Sequence, residues 1–443
     1  MRGYERGFDA NIARRASAIT EPTRRYGVEV EWLFVDRRTG EPIDIETRKK
    51  VVCGIANYGE GWEAVDAHRL KKGINGNTAT IGKELGKSII ELADVPSDRL
   101  SVMKAHLVEN ARAIFDAVEP LNVMKLGTGL HPYALPDERQ LMEDPRYKAF
   151  EPMLGKNLYL HTITAAVHVH VEVGKEEVAR VMNMLAAYVP VIAAIYANSP
   201  IYKGRDSGMS SRREYNWDQQ YGKYPTIVGI PPLFTDLEDV LMKSIDLPSY
   251  VTTRGDDYLV YQDQPGTLKR FIENGSTRAY SIYAKENKVL TPALEDVYTH
   301  LGSIRWNVRA REKTVELRIV DSQQNVDSII SLVAIVKGLV ANIEKAEGLA
   351  KGYGVEDRKN ARMDALRNGL RAEYMGEDIK EVAKEMLGIA KEGLALSHED
   401  ASCLEYPYSI VGSGRNMADV HRHDYERLSR DRFLESLEFS LRG

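Results

Sequence analysis

Three stretches of this chain alternate between apolar and ionisable residues: GVEVEW (27–32), AVHVHVEV (166–173) and TVELRIV (314–320). Side chains two residues apart share one face of a strand, so each stretch has an apolar face and a charged face. Val28, Val30 and Trp32 lie opposite Glu29 and Glu31, and Val315, Leu317 and Ile319 lie opposite Glu316 and Arg318. His168 and His170 share a face in the same way. SIIELAD (88–94) reads as a fourth strand, with Glu91 beside Ile89 and Ala93. Such strands have to bury one side and leave the other available, as antiparallel sheets commonly do.

The rest of the chain supplies the cover. DRLSVMKAHLVENARAIFDAVEPL (98–121) and KEEVARVMNMLAAYV (175–189) carry apolar residues at helical spacing, and the apolar run after Pro190 reads as a further helix. NVMKLGTGLHPYALP (122–136) is a strand entering a turn, DDYLVYQD (256–263) another strand, and residues 53–80 a glycine-rich excursion without clear period. From Val326 onward the chain reads as helical, with IKEVAKEMLGIA (379–390) amphipathic. Strands and helices do not alternate regularly, which favours an α+β layout with helices behind an antiparallel sheet. Residues 1–443 are expected to form one domain, with the helical part 326–443 packed on it.

Charge and composition narrow the function. With 60 basic and 65 acidic residues the net charge is −5, which gives no basic footprint for nucleic acid or an anionic membrane. The apolar windows 184–197 and 329–343 are too short to span a bilayer, and Pro190 and Lys337 interrupt them. Cys53 and Cys403 form neither a disulfide framework nor a zinc-finger spacing. No signal peptide is legible, so a cytoplasmic location is expected. A homo-oligomer is admitted but not required by anything in the sequence.

The charged faces carry Glu, His and Arg, where solvated strand faces usually carry Thr, Lys and Ser. Carboxylates and imidazoles suit Mg²⁺ or Mn²⁺, and carboxylates crowded on one face repel unless a cation neutralises them. The pattern therefore points to divalent metal ions bridging an anionic substrate, most simply the phosphates of a nucleotide.

GVEVE, IIELADVP, GTGLHP, HVHV, ANSPIYKGRDSGMSSRR and VELRIVD occur here in the order found in the second glutamate–cysteine ligase family. The chain resembles that family, which includes plant and proteobacterial glutamate–cysteine ligases and bacterial carboxylate–amine ligases, from residue 27 to about 345. The resemblance implies a glutamine synthetase-like fold, a curved antiparallel sheet whose concave face holds ATP, Mg²⁺ and the amino-acid substrate. It further implies Glu29, Glu31, Glu91 and Glu316 as metal ligands, with His168 or His170 touching the metal or the γ-phosphate. Arg318 would stabilise the transferring phosphoryl group, and Arg213 would bind a substrate carboxylate or the phosphorylated intermediate, with Arg212 as its rival. Arg309 would lie near substrate and nucleotide, and His131 would contact substrate. Asn307 stands where family members often carry an acid. The stretch 250–275 is closer to the glutamate–cysteine ligase branch, a hint at glutamate as donor, while the amine acceptor has no legible motif.

Other readings stay open on the residues alone. His131 could cap the turn that Pro132 imposes, and Trp306 could be core. His168 and His170 could serve a metal-dependent hydrolase, or the charged face could serve a non-catalytic nucleotide-binding protein. His421 and His423 read as a polar helix start, since residues two apart do not share a helix face.

Overall fold

The computed structural model describes residues 24–441 apart from 145–146, 148–149, 221–227, 246–250, 255–256, 263–266, 282–283, 292–302 and 308–313. Its strands are β1 (Tyr26–Asp36), β2 (Trp62–Asp66), β3 (Arg69–Ile74), β4 (Asn77–Lys83), β5 (Ile89–Ala93), β6 (Val123–Leu126), β7 (Ala166–Glu172), β8 (Val251–Arg254), β9 (Asp257–Tyr261), β10 (Thr277–Ser281), β11 (Asn287–Leu290), β12 (Ile304–Asn307) and β13 (Thr314–Asp321). Nine of them form one antiparallel sheet in the order β12-β13-β7-β1-β5-β4-β3-β2, with β6 paired to the second half of β1. Strands β8 to β11 form a separate four-stranded sheet.

Helices of seven residues or more are α1 (Ile45–Tyr58), α2 (Leu100–Val118), α3 (Val178–Tyr196), α4 (Arg212–Gln220), α5 (Leu237–Ile245), α6 (Leu268–Asn274), α7 (Val326–Ala341), α8 (Ile343–Ala350), α9 (Val355–Asn368), α10 (Ile379–Leu396), α11 (Glu405–Ser413), α12 (Met417–Arg427) and α13 (Arg430–Ser436). Helix α3 packs on β13 and β12, and α7 on β7 and β1. Between them lie Val28, Val30 and Trp32 of β1, Val167, Val169 and Val171 of β7, and Val315 and Leu317 of β13, all buried in one core. Each such side chain contributes about 1.5–3 kcal/mol by leaving water. The α+β layout and the helical C-terminal region are as the alternation indicated.

Helices α7 and α10 approach so closely that a Cβ at Gly338 would run into the Ala390 carbonyl, and one at Gly393 into the Gly338 carbonyl. Gly338→Ala is expected to destabilise the fold by about 3 kcal/mol, because backbone rather than a flexible side chain meets the new methyl. Urea unfolding measures this, and a loss below about 1 kcal/mol would mean the helices can simply move apart.

Two sequence expectations are corrected. Residues 53–80 are not a loop: α1 runs into them, and β2, β3 and β4 follow as a meander. Asn75 and Gly76, with φ of 48° and 79°, make the two-residue hairpin turn between β3 and β4. Asn-Gly favours that turn because both central residues need positive φ. The meander lies at the sheet edge with many exposed side chains, so its apolar period is weak. Pro190 does not end a helix either: α3 continues through it. The helix is buried almost all round, and this packing offsets the hydrogen bond that proline removes. Among the described residues α3 is the one helix long and apolar enough to cross a membrane, and 89% of that window is buried inside the protein. The run 329–343 likewise falls largely in the buried part of α7.

Candidate active site

The sheet face opposite α3 and α7 collects the ionisable residues, and strand register decides which of them meet. Glu29 of β1 lies directly across from His168 of β7, and Glu31 across from Glu91 of β5. Glu316 of β13 pairs with His170 on one side and with Arg305 of β12 on the other. Five adjacent strands thus present Arg305, Glu316, His168, His170, Glu29, Glu31 and Glu91 to one space.

Their contacts are tight. The Glu29 carboxylate lies 3.1 Å from His168 Nδ1 and 3.3 Å from His170 Nε2. Glu316, fully buried, is held by Arg305 at 2.6 Å and by Arg318, and lies 3.8 Å from His168 Nδ1. Glu31 accepts a hydrogen bond from the Ala166 amide at 2.8 Å. Ligand atoms of Glu29, His168 and Glu316 all fall within 4.8 Å of one another, and so do those of Glu31, Glu91 and His168. His168 therefore belongs to both groups.

Electrostatics divide the carboxylates into two kinds. Burial disfavours the Glu29 charge, but His170 and His168 outweigh it and hold the carboxyl well below its ordinary range. Burial acts on Glu316 too, and the Arg305 and Arg318 guanidinium groups overcome it, bringing the group down to about 2. Glu31 lacks such compensation: burial, helped by the Glu84 carboxylate, pushes it up to about 8. Burial and the charges of Glu29, Glu84 and Glu31 push Glu91 well above the carboxylate range. Burial and Arg318 lower the His168 imidazole to about 4, so at neutral pH it offers a lone pair. For His170 burial acts in the same direction, yet Glu29 and Glu316 outweigh it and the imidazole is raised.

Beside this cluster opens a cleft of about 510 Å³ lined by Glu31, His168, Arg318, Arg213, Glu214 and Trp217, among others. Arg213 comes from the first turn of α4, and Arg318 from a bulge in β13, where the register to β7 shifts between Leu317 and Val320. Bulges re-aim side chains, and here the extra residue turns Arg318 toward the cleft.

A family model described as glutamate–cysteine ligase family 2 matches residues 25–420. The chain belongs to glutamate–cysteine ligase family 2. A putative glutamate–cysteine ligase 2-3 of Mycolicibacterium smegmatis is 30% identical over 325 residues, which is 73% of this chain and 69% of that protein. One from Rubrobacter xylanophilus is 24% identical over 414 residues, covering 90% and 93%. Among solved structures, the glutamate–cysteine ligase of Francisella tularensis in complex with AMP shares the fold, with a TM-score of 0.55, 13% identity and coverage of 95% of this chain and 88% of that one. As a member of this family the chain is an ATP-dependent ligase acting on small molecules, and the hydrolase and non-catalytic readings fall away.

The structure brings Glu29, Glu31, Glu91, Glu316, His168, His170 and Arg318 together at the cluster, with Arg213 in the adjoining cleft. Arg212 points elsewhere, with its Nε donating to Asn216 and its guanidinium stacked over Tyr202 and Tyr215. His131 is a correction: it is buried and absent from the cleft lining. Its Nδ1 accepts from the Tyr133 and Ala134 amides and its Nε2 faces the Gly40 carbonyl at 3.1 Å, so it caps the turn. Arg309 and the side chains of Trp306 and Asn307 lie outside the described residues. His421 is buried between the Asn198 carbonyl at 2.8 Å and Gln324, and His423 is exposed, so they are no metal pair.

Sequence reasoning missed Glu84, Arg305 and Glu214. Glu84 sits just after β4 and carries no strand period. Arg305 faces Glu316 only through the hairpin register. Glu214 neighbours Arg213 and is bridged to Arg362 of α9 at 2.7 Å, a contact made across distant segments.

Proposed function

We propose that this ligase joins the γ-carboxyl of glutamate to an amine, with cysteine as the favoured acceptor, through an acyl phosphate made with ATP. The observation that carries the reading is the meeting, in one cleft, of a carboxylate–imidazole cluster with two arginines, Arg213 and Arg318. The glutamate and cysteine assignments come from the names of the relatives.

The cluster fits a divalent cation. Its donors are carboxylate oxygens and a neutral imidazole, and the elevated Glu31 and Glu91 are carboxyls that keep protons for want of a positive charge. Glu29, Glu31, Glu91, Glu316 and His168 would hold Mg²⁺ or Mn²⁺, which would neutralise the β- and γ-phosphates of the nucleotide. His170 and Arg318 would contact the phosphates, and Arg318 would follow the phosphoryl group, since a guanidinium matches phosphate geometry. Arg213 would hold a carboxylate of the donor, and Arg309 remains a proposed contact from the resemblance. A donor carboxylate oxygen attacks the γ-phosphorus and ADP leaves. The amine nitrogen then attacks the acyl carbon, loses a proton and displaces phosphate. The whole chain 1–443 would act as one catalytic unit, a reading that the packing of α7 on β7 and β1 supports.

The test is ADP release by the purified protein with ATP, Mg²⁺ and glutamate over a panel of amines, with products read by mass. A γ-glutamyl amide with cysteine is expected, a different amide would move the acceptor, and no ADP release with any pair would remove the reading.

Metal binding has its own signature. A carboxyl whose folded pKa is raised makes stability fall as pH rises, here from the ordinary value of about 4.3 to about 8 for Glu31. Below that window protons compete with the cation for Glu31 and Glu91. Mg²⁺ is therefore expected to raise the melting temperature more at pH 8 than at pH 6. Thermal melts with and without Mg²⁺ check this, and equal shifts at both pH values would count against these two ligands.

A further inference from the structure

We propose that Asp321 is a positioning residue that sets the direction of the Arg213 guanidinium in the donor subsite. The inference rests on the reading of Arg213 as the contact for the donor carboxylate. Asp321 ends β13, and its carboxylate is fully buried with four donors around it. Arg213 Nε donates to Oδ1 at 2.9 Å and Ser211 Oγ to the same oxygen at 3.0 Å. The Asn198 amide donates to Oδ2 at 3.0 Å and Ser199 Oγ at 2.8 Å. A carboxylate has about four lone-pair directions, so all are in use and the group cannot rotate without losing a bond.

The surroundings leave no slack. A Cβ at Gly129 would run into the Asp321 side chain, so the loop after β6 lies hard against the carboxylate. Asn198 ties the same loop in place, donating to the Gly127 carbonyl at 3.1 Å and accepting from the Gly129 amide at 2.9 Å.

The consequence falls on Arg213. Its Nε is committed to Asp321, and its Nη2 to the Arg318 carbonyl at 3.3 Å and to Glu214 at 3.0 Å. Among the described residues Nη1 has no partner, and Arg213 lines the cleft. One edge of the guanidinium is thus fixed in the protein and the other is turned to the cleft. Without the Asp321 charge the fork would be free to turn on its long stem, and a bidentate contact to a carboxylate depends on its orientation.

The experiment compares Asp321→Asn and Ser211→Ala with the parent protein in glutamate- and ATP-dependent ADP release. Asn keeps the size but puts an amide N–H against one pair of donors. The expected result is a glutamate KM raised at least about tenfold in Asp321→Asn, with the ATP KM within about threefold and the kcat affected less than the KM. Ser211→Ala removes one donor from Oδ1 and leaves the Arg213 contact, so it should raise the glutamate KM by about threefold, again without moving the ATP KM. Should Asp321→Asn fail to melt cooperatively, Ser211→Ala decides alone. An unchanged glutamate KM in a folded variant, or equal rises for glutamate and ATP, would overturn the inference while the parent stays active. A parent without glutamate-dependent ADP release would overturn both the inference and the reading it rests on.

Discussion

Glu29→Gln is expected to lower kcat for ADP release by about 10³-fold while the protein still folds, the scale on which removal of one preorganised electrostatic group acts. Glu29 is the carboxylate that the two histidines of β7 converge on, at 3.1 Å and 3.3 Å. It is also the one whose ionised form the site holds most firmly against burial with imidazoles alone, without an arginine. Glutamine preserves its shape and removes the charge. The loss does not stop there, because the Glu29 charge is first among the influences that raise the His170 imidazole against burial. The neutral amide would thus take away one anionic oxygen donor and also part of the positive charge beside it. Stability should change little, since a buried carboxylate among like charges is itself a cost. The measurement is steady-state ADP release at saturating substrates alongside a thermal melt. A loss of less than about tenfold with an intact melt would remove Glu29 from the ligand set.

Most of this site was legible because it is written at period two. Glu29, Glu31, Glu316, His168 and His170 stand on strands where parity alone places them on one face, and a sheet buried on the other side forces that face outward. Which of them touch was not legible, because register depends on how strands from distant parts of the chain slide against each other. The bulge in β13 shows the limit best. Strict alternation from Glu316 and Arg318 puts Val320 on the site face and Asp321 on the core face. The register instead sets Val320 opposite Val167 and Asp321 opposite Ala166, so the two exchange sides. No signal in VELRIVD announces an extra residue, and so Asp321 was not seen. Similarly, the meander 62–83 hides at an exposed edge, and His131, which the resemblance placed at the substrate, spends its nitrogens on a turn.

Arg318→Lys is expected to lower kcat by about 10²-fold and Arg318→Ala by about 10³-fold, with the KM for ATP little changed in the lysine variant. The bulge aims Arg318 into the cleft, its backbone amide is anchored to the Ser303 carbonyl at 2.9 Å, and its Nη1 bonds Glu316. The same nitrogen lies 3.5 Å from His168 Nδ1, at the point shared by the two candidate ligand groups. Glu316, Glu29 and Glu31 all hold the guanidinium charged against burial. A group fixed this way needs no rearrangement as negative charge shifts on a phosphoryl group in transit. Lysine keeps the charge but gives up the planar fork, so it can serve Glu316 or the phosphoryl oxygens and not both. The alanine variant would in addition leave the buried Glu316 with Arg305 as its remaining guanidinium partner, which is expected to cost stability as well as rate. For that reason the lysine variant is the sharper probe. A kcat effect at constant KM marks an interaction made in the transition state, whereas a rise in the KM for ATP at unchanged kcat would make Arg318 a plain nucleotide anchor.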